Sequence, residues 1–301
     1  MNVVLYVIHP VLCLERKKGM FIKMNNLFES IDKPVEYTAT PFSRDIKASD
    51  LFESLAYREA LARLKVVVAK NYLGVLSGEV GTGKSTVIRK LVHSLDTMRY
   101  QPIYLTISGL KPRDFYGEVL RHMGEVPPYS IVKAKAMWER ILDSRYEQRD
   151  KTVVLIIDEA QDLSEKMLLE IRFLINYKMD SIALFPVILV GQPELRRNLK
   201  LRKYESVAQR VQLQYHLGGL TPEETAGYIH HQMKTAGLSS PVFADSAIEM
   251  VQGISKGIPR VINHICAQVL YEANLKGREV IEETHIGRVL SDMDYQRGKA
   301  G

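Results

Sequence analysis

Gly78, Gly83, Lys84 and Ser85 are the residues of this chain whose types and spacing point most directly to chemistry. They are the fixed positions of the octapeptide Gly-Glu-Val-Gly-Thr-Gly-Lys-Ser, residues 78–85, which fits the phosphate-loop pattern G-x-x-x-x-G-K-[ST] throughout. The apolar run Tyr72–Leu76 precedes it and a helical pattern, Thr86–Val92, follows, giving the strand–loop–helix setting that the pattern needs. Glycines let the backbone curl until successive N–H groups face a polyphosphate, and the helix start adds partial positive charge. The cradle would comprise Gly78, Glu79, Val80, Gly81, Thr82, Gly83, Lys84, Ser85 and Thr86. Lys84 would reach the β- and γ-phosphates of ATP, and Ser85 would hold Mg²⁺.

A second group follows the run Val153–Ile157, which ends in Asp158 and Glu159. Five apolar residues closing on two acids read as a buried strand that surfaces at its C-terminal edge, where ligands of open α/β sheets sit. Asp158 would hold Mg²⁺, directly or through water, and Glu159 would take the proton of the attacking water. Gln192 follows the run Val187–Val190; it stands either as a polar turn residue or as an amide beside the same site. Arg210 and Arg260 read first as surface cations, with a charge set against a γ-phosphate as the alternative.

These residues need a scaffold. Strand-like runs occur at Leu73–Leu76, Pro102–Ile107, Val153–Ile157 and Phe185–Val190, each short, apolar and suited to burial on both faces. Helical patterns separate them at Ser85–Leu95, Pro112–Met123, Ile131–Arg149 and Ser164–Tyr177, and Leu51–Lys70 precedes them. The alternation predicts an α/β fold with a parallel sheet and helices on both faces. The strand pattern stops near residue 218, at Gly218-Gly219, a natural hinge. Thr221-Pro222-Glu223-Glu224 carries the signature of a capped helix start, and helices near 222–236, 244–255, 258–275 and 282–296 predict a small all-helical unit.

The chain has 301 residues, 46% hydrophobic and 25% charged, the composition of a soluble globular protein. No run of 18 apolar residues exists, so no membrane span is expected. The apolar stretch Met1–Cys13 has its basic cluster, Arg16-Lys17-Lys18, on the wrong side for a signal peptide, and Met24 is a second possible start. Residues 1–23 are therefore read as a poorly ordered extension, with a membrane-touching segment as the alternative, and 24–50 as an extended arm. Cys13 and Cys266 lie far apart and outside any metal spacing, as free thiols of a reducing cytoplasm would. The net charge of +6 makes an anionic partner more expected than for a neutral chain.

Taken together these residues resemble the AAA+ superfamily, and within it the ExeA-like group, which also takes in transposon ATPases of the TnsC and TniB type. The resemblance covers roughly residues 45–290. It rests on Leu51–Ser54 with Arg58-Glu59-Ala60, Gly78–Ser85, Leu155–Gln161 (Leu-Ile-Ile-Asp-Glu-Ala-Gln), Val190–Leu195 (Val-Gly-Gln-Pro-Glu-Leu), Gln209-Arg210-Val211 and Gly257–Arg260. It implies an N-terminal extension over 1–44, a P-loop AAA+ core over 45–217 and a helical lid over 218–301. It implies that Gln192 is a sensor-1 residue, where Asn or Thr is commoner in the wider superfamily, that Arg210 is a finger acting in trans, and that Arg260 is the sensor-2 arginine.

The group holds two trades. One is a secretion-pathway ATPase that continues into a transmembrane helix and a cell-wall-binding domain, neither of which these 301 residues show. The other is a compact cytoplasmic ATPase that assembles as rings or filaments on duplex DNA and presents the target to a DDE-type transposase. The second is the expectation, with the secretion or envelope-assembly ATPase as alternative and a slowly hydrolysing nucleotide-gated switch as a third reading. No stable membrane association is expected. Lys111, Arg113, Lys133 and Lys135, with Lys200, Arg202 and Lys203 as a further cluster, are the cations placed to grip phosphates; each also reads as a solvated charge. Glu159→Gln should keep ATP binding and lose turnover, while Lys84→Ala should weaken both, as nucleotide titration and phosphate release would measure.

Overall fold

The computed structural model describes residues 40–43, 50–106, 109–175, 183–238, 242–275 and 280–296. Residues 1–39, and Cys13 with them, lie outside the described residues, as do most of the expected arm, Ile107 at the end of one expected strand and Tyr177 at the end of one expected helix.

Among the described residues the sheet has five parallel strands: β1 (Leu73–Gly78), β2 (Tyr100–Leu105), β3 (Thr152–Ile157), β4 (Val187–Gly191) and β5 (Val211–Leu217). Their spatial order is β2-β3-β4-β1-β5. The central strands are buried on both faces, so alternate residues of one apolar run feed two separate cores. Val153, Leu155 and Ile157 of β3, with Val187 and Leu189 of β4, point to one face. Val154, Ile156, Ile188 and Val190 point to the other. The helices α1 (Leu55–Ala69) and α2 (Lys84–Ser94) cover the second face through Leu64, Val67, Val87 and Leu91. The first face is covered by α3 (Pro112–His122), α4 (Ile131–Gln148) and α5 (Glu165–Leu174), with α6 (Pro193–Leu199) and α7 (Glu205–Ala208) closing its end.

Three expectations need correction. The fifth strand is absent from the sequence reading because Val-Gln-Leu-Gln-Tyr-His-Leu alternates between exposed and covered positions at the sheet edge instead of forming a continuous apolar run. The first helix begins at Leu55, not Leu51: the Ser54 hydroxyl accepts the Tyr57 N–H at 3.1 Å and caps it, and residues 51–54 run outside the helix. The strand expected from Phe185 starts at Val187, after Pro186, which lacks the N–H a central strand would donate.

Four further helices, α8 (Pro222–Thr235), α9 (Asp245–Ser255), α10 (Pro259–Leu275) and α11 (Glu283–Gln296), pack around a third core of Ile229, Val251, Ile262, Ile265 and Ile286. The expected capping box opens α8, with Glu224 N–H donating to Thr221 Oγ1 and Thr221 N–H to Glu224 Oε2, both at 3.2 Å. The other carboxylate oxygen of Glu224 accepts the Leu55 N–H at 2.8 Å, so one side chain caps the starts of α8 and α1 together. Phe52 packs edge-on to Tyr228 of α8, and Asp50 C=O lies 2.8 Å from His231 Nε2, which seats the lead-in to α1 on the helical unit. Phe42 is buried in the same core, edge-on to Phe243.

The largest fully buried side chain is Trp138 of α4, edge-on to Phe185 with ring centroids 5.6 Å apart. Trp138→Ala should lower stability by about 3–5 kcal/mol, read as a lower urea midpoint at unchanged slope.

Candidate nucleotide site

The strand order brings the C-terminal ends of β1, β4 and β3 side by side. Ser77 lies opposite Gly191, and Leu189 opposite Ile157. The phosphate loop, Gln192 and the Asp158–Glu159 pair are therefore neighbours because each follows one of three adjacent strands. They line one cleft of about 1100 Å³ between the sheet and the C-terminal helices.

Within the loop, Gly81 and Gly83 both take left-handed backbone conformations, with φ of 90° and 100°. Gly83 is the cap of α2, whose first amides have no partner inside the helix. A Cβ on Gly81 would sit 2.6 Å from Arg260 Cβ, so only glycine lets α10 come this close. At that contact Arg260 N–H donates to Gly81 C=O at 3.2 Å. Lys84 Nζ donates to the carbonyls of Gly78 (2.7 Å) and Glu79 (3.0 Å), which holds its charge at the centre of the loop. Burial pulls the Lys84 ammonium below its ordinary pKa; the Glu159, Asp158 and Glu79 carboxylates oppose that pull and Arg260 adds to it.

Asp158 is buried. Its Oδ2 accepts the Tyr104 hydroxyl at 2.5 Å and its Oδ1 accepts the Glu159 N–H at 2.8 Å. Burial first, then the hydrogen bond to Asp158, raises the Tyr104 phenol above its usual range, so it stays a donor. Glu159 has a left-handed backbone, φ 50° and ψ 40°, at the start of a single 3₁₀ turn, Ala160–Asp162. Its Oε2 accepts Gln161 Nε2 at 2.7 Å and lies 3.5 Å from Gln192 Nε2.

The cleft is also lined by Phe52, Tyr57, Arg89, Tyr228, Gln232 and Asn263. Tyr57 Oη and Arg89 Nε are buried there without a hydrogen-bond partner among the described residues. Burial, with Glu53 adding and Arg89 opposing, pushes the Tyr57 phenol up to about 12. A cleft that holds a glycine cradle and has aromatic and polar side chains on its walls fits a ligand with a polyphosphate and a polar ring system, as a nucleoside triphosphate has. Ser85 lines the same cleft as Asp158, a donor set that suits Mg²⁺ held by few protein oxygens and by phosphates.

The cleft thus gathers residues 80–86, Asp158, Glu159, Gln192 and Arg260. Arg210 lies apart from it. It precedes Val211, which pairs with Leu73 at the opposite edge of the sheet, the full length of the 6-residue strand β1 away, or about 20 Å. The remaining candidates are on the surface. Lys111, Arg113 and Lys133 are exposed, with the Arg113 guanidinium 4.3 Å over the Tyr129 ring. Lys135 is held by Glu170 at 2.7 Å and Lys203 by Glu165 at 2.7 Å; Lys200 and Arg202 are exposed. Sequence reasoning missed Tyr104, Gln161, Tyr57 and Arg89. Only Gln161 left a signal, two residues past Glu159 within a quoted motif; the others reach the cleft from strand and helix positions that carry no motif.

A family model described as an AAA domain matches residues 68–199. Over 244 residues the chain is 32% identical to General secretion pathway protein A of Aeromonas hydrophila, covering 80% of this chain and 44% of that protein. The chain thus spans less than half the length of this relative. Among solved structures, Cdc6p of Pyrobaculum aerophilum is similar with a TM-score of 0.59 at 19% identity, over 80% of this chain and 67% of that one. Drosophila ORC bound to DNA is similar with a TM-score of 0.58 at 17% identity, over 96% and 70%. At these identities the two structures speak for the fold, whereas the domain match and the sequence relative speak for descent: the chain carries an AAA-type ATPase domain and is similar to the ExeA-like group.

Proposed function

We propose that this ATPase works as a nucleotide-dependent oligomer that binds duplex DNA and delivers it to a DDE-type transposase. In this reading residues 45–217 are the ATPase core and 218–301 the lid. Lys84 and the amides of the phosphate loop bind and orient the phosphates of ATP. Ser85 and Asp158 hold Mg²⁺, which when bound offsets phosphate charge. Glu159 takes the proton of the attacking water, and Gln192 and Arg260 line the γ-phosphate end. The position of Arg210 supports a role in trans, because it lies about 20 Å from its own phosphate loop, on the opposite sheet edge.

The observation that carries the DNA reading is a set of exposed cations with one exposed ring, at the starts of α3 and α4 and in the connection between them. Lys111, Arg113 and Lys133 are exposed there, and Tyr129 is 85% exposed while stacked under Arg113. Cations over a ring suit phosphates and sugar edges more than an apolar partner. The fold likeness to ORC, solved bound to DNA, is in keeping with it.

A second reading has its own support. The 32% identity to General secretion pathway protein A favours an envelope-assembly ATPase acting on protein partners. Among the described residues no helix is long and apolar enough to cross a membrane. Stable membrane association of the intact chain would favour this second reading.

Duplex DNA should bind in the presence of a non-hydrolysable ATP analogue, with log affinity falling linearly against log salt. Changing Arg113 and Lys133 together to alanine should reduce that slope by about two phosphate equivalents. Absence of binding at low salt would end the DNA reading and leave the ATPase intact. Arg210→Ala and Lys84→Ala should each be inactive alone and should partly restore turnover when mixed, since each supplies what the other lacks. Failure of the mixture would place Arg210 outside the trans site.

A further inference from the structure

Gln161 makes two hydrogen bonds that tie the end of β3 to the end of β4. Its Nε2 donates to Glu159 Oε2 at 2.7 Å, and its Oε1 accepts the Gln192 N–H at 3.0 Å. The 3₁₀ turn Ala160–Asp162, closed by Asp162 N–H on Glu159 C=O at 2.9 Å, brings the amide back over the carboxylate two residues earlier. A Cβ on Gly191 would lie 2.7 Å from Gln161 Oε1, so the amide crosses β4 at a point that only a residue without a side chain leaves open. Gln192 Nε2 stands 3.5 Å from the same Glu159 oxygen, at the limit of a hydrogen bond. Gln161 thus makes the short amide contact to the carboxylate and also fixes the backbone from which the long one is made.

We propose that Gln161 is the positioning residue of the hydrolytic site. It sets the Glu159 carboxylate and locks that setting to the backbone of Gln192, so that the acid and the strand-end amide move as one unit. The proposal rests on the reading of Glu159 as the base. The carboxylate belongs to a residue with a left-handed backbone, one of only a few non-glycine residues in that state among the described residues. Such a residue keeps its orientation when its surroundings over-determine it: the Asp158 carboxylate and the Asp162 N–H hold its backbone, and the amide bridge holds its carboxylate. A misplacement of about 1 Å at a reacting group costs up to about 100-fold in rate.

The test uses the full chain with ATP hydrolysis, ATP-analogue titration and thermal unfolding on wild type, Gln161→Ala, Gln161→Glu, Glu159→Gln and the double variant Gln161→Ala/Glu159→Gln. Gln161→Ala should lower kcat by about 10- to 100-fold with KM and analogue affinity within about twofold of wild type. Gln161→Glu keeps an acceptor for the Gln192 N–H but loses the donor to Glu159, so it should lose kcat equally; it carries the test if the alanine variant does not fold. The double variant should be no slower than Glu159→Gln alone, because the amide acts through the carboxylate. Wild-type turnover in both Gln161 variants while Glu159→Gln is inactive would overturn the positioning role alone. So would a parallel loss of nucleotide affinity and kcat. Wild-type turnover in Glu159→Gln would instead remove the base reading on which the proposal stands.

Discussion

The cleft depends on how closely backbone can approach backbone at Gly81. Its carbonyl accepts the amide of Arg260, and the space its side chain would fill is taken by Arg260 Cβ. A single hydrogen bond of this kind contributes only about 1 kcal/mol net, so its weight lies in geometry more than in stability. The first turn of α10 rests on the loop that would cradle phosphates, and the loop in turn starts α2. Loop shape and the seat of the C-terminal helices are therefore one variable. A nucleotide that reshapes the loop would also move those helices, which is how an ATPase of this fold can report its ligand to surfaces far from the cleft.

The charges around Lys84 follow the same logic. Three carboxylates, Glu159, Asp158 and Glu79, counter the cost of burying its ammonium, and two loop carbonyls accept hydrogen bonds from it. A polyphosphate would add negative charge to a group already desolvated, where attraction is stronger than in water. Elsewhere in the cleft wall the Tyr57 hydroxyl and Arg89 Nε are buried without a hydrogen-bond partner among the described residues.

Much of this was legible in the chain itself. The phosphate loop and the Asp158–Glu159 strand end are local signals, in which a few consecutive residues carry both the conformation and the chemistry, and the continuous apolar runs of β1, β3 and β4 marked strands buried on two faces. The capping box at Thr221–Glu224 was equally local. What was lost is what depends on tertiary position. β5 alternates because one side of it is covered, and no run betrays it. Tyr104 lies at an exposed position of an edge strand and looks ordinary until β3 is laid beside it with Asp158 at its end. Tyr57 and Arg89 sit on helices whose periodicity explains them as amphipathic residues; only the cleft between two cores shows that their polar atoms lack a mate. The separation of Arg210 from Arg260 was likewise invisible, since both are single arginines beside short turns and only the sheet register sets them at opposite ends.

Glu224 has a consequence that reaches beyond helix capping. One of its oxygens closes the first turn of α8 and the other closes the first turn of α1, two elements rooted in different apolar cores. Both bonds lie at exposed positions, so water can take over either amide when the carboxylate leaves it. The shared carboxylate therefore registers α8 against α1 at little energetic cost: it selects a contact between the two units without locking them together.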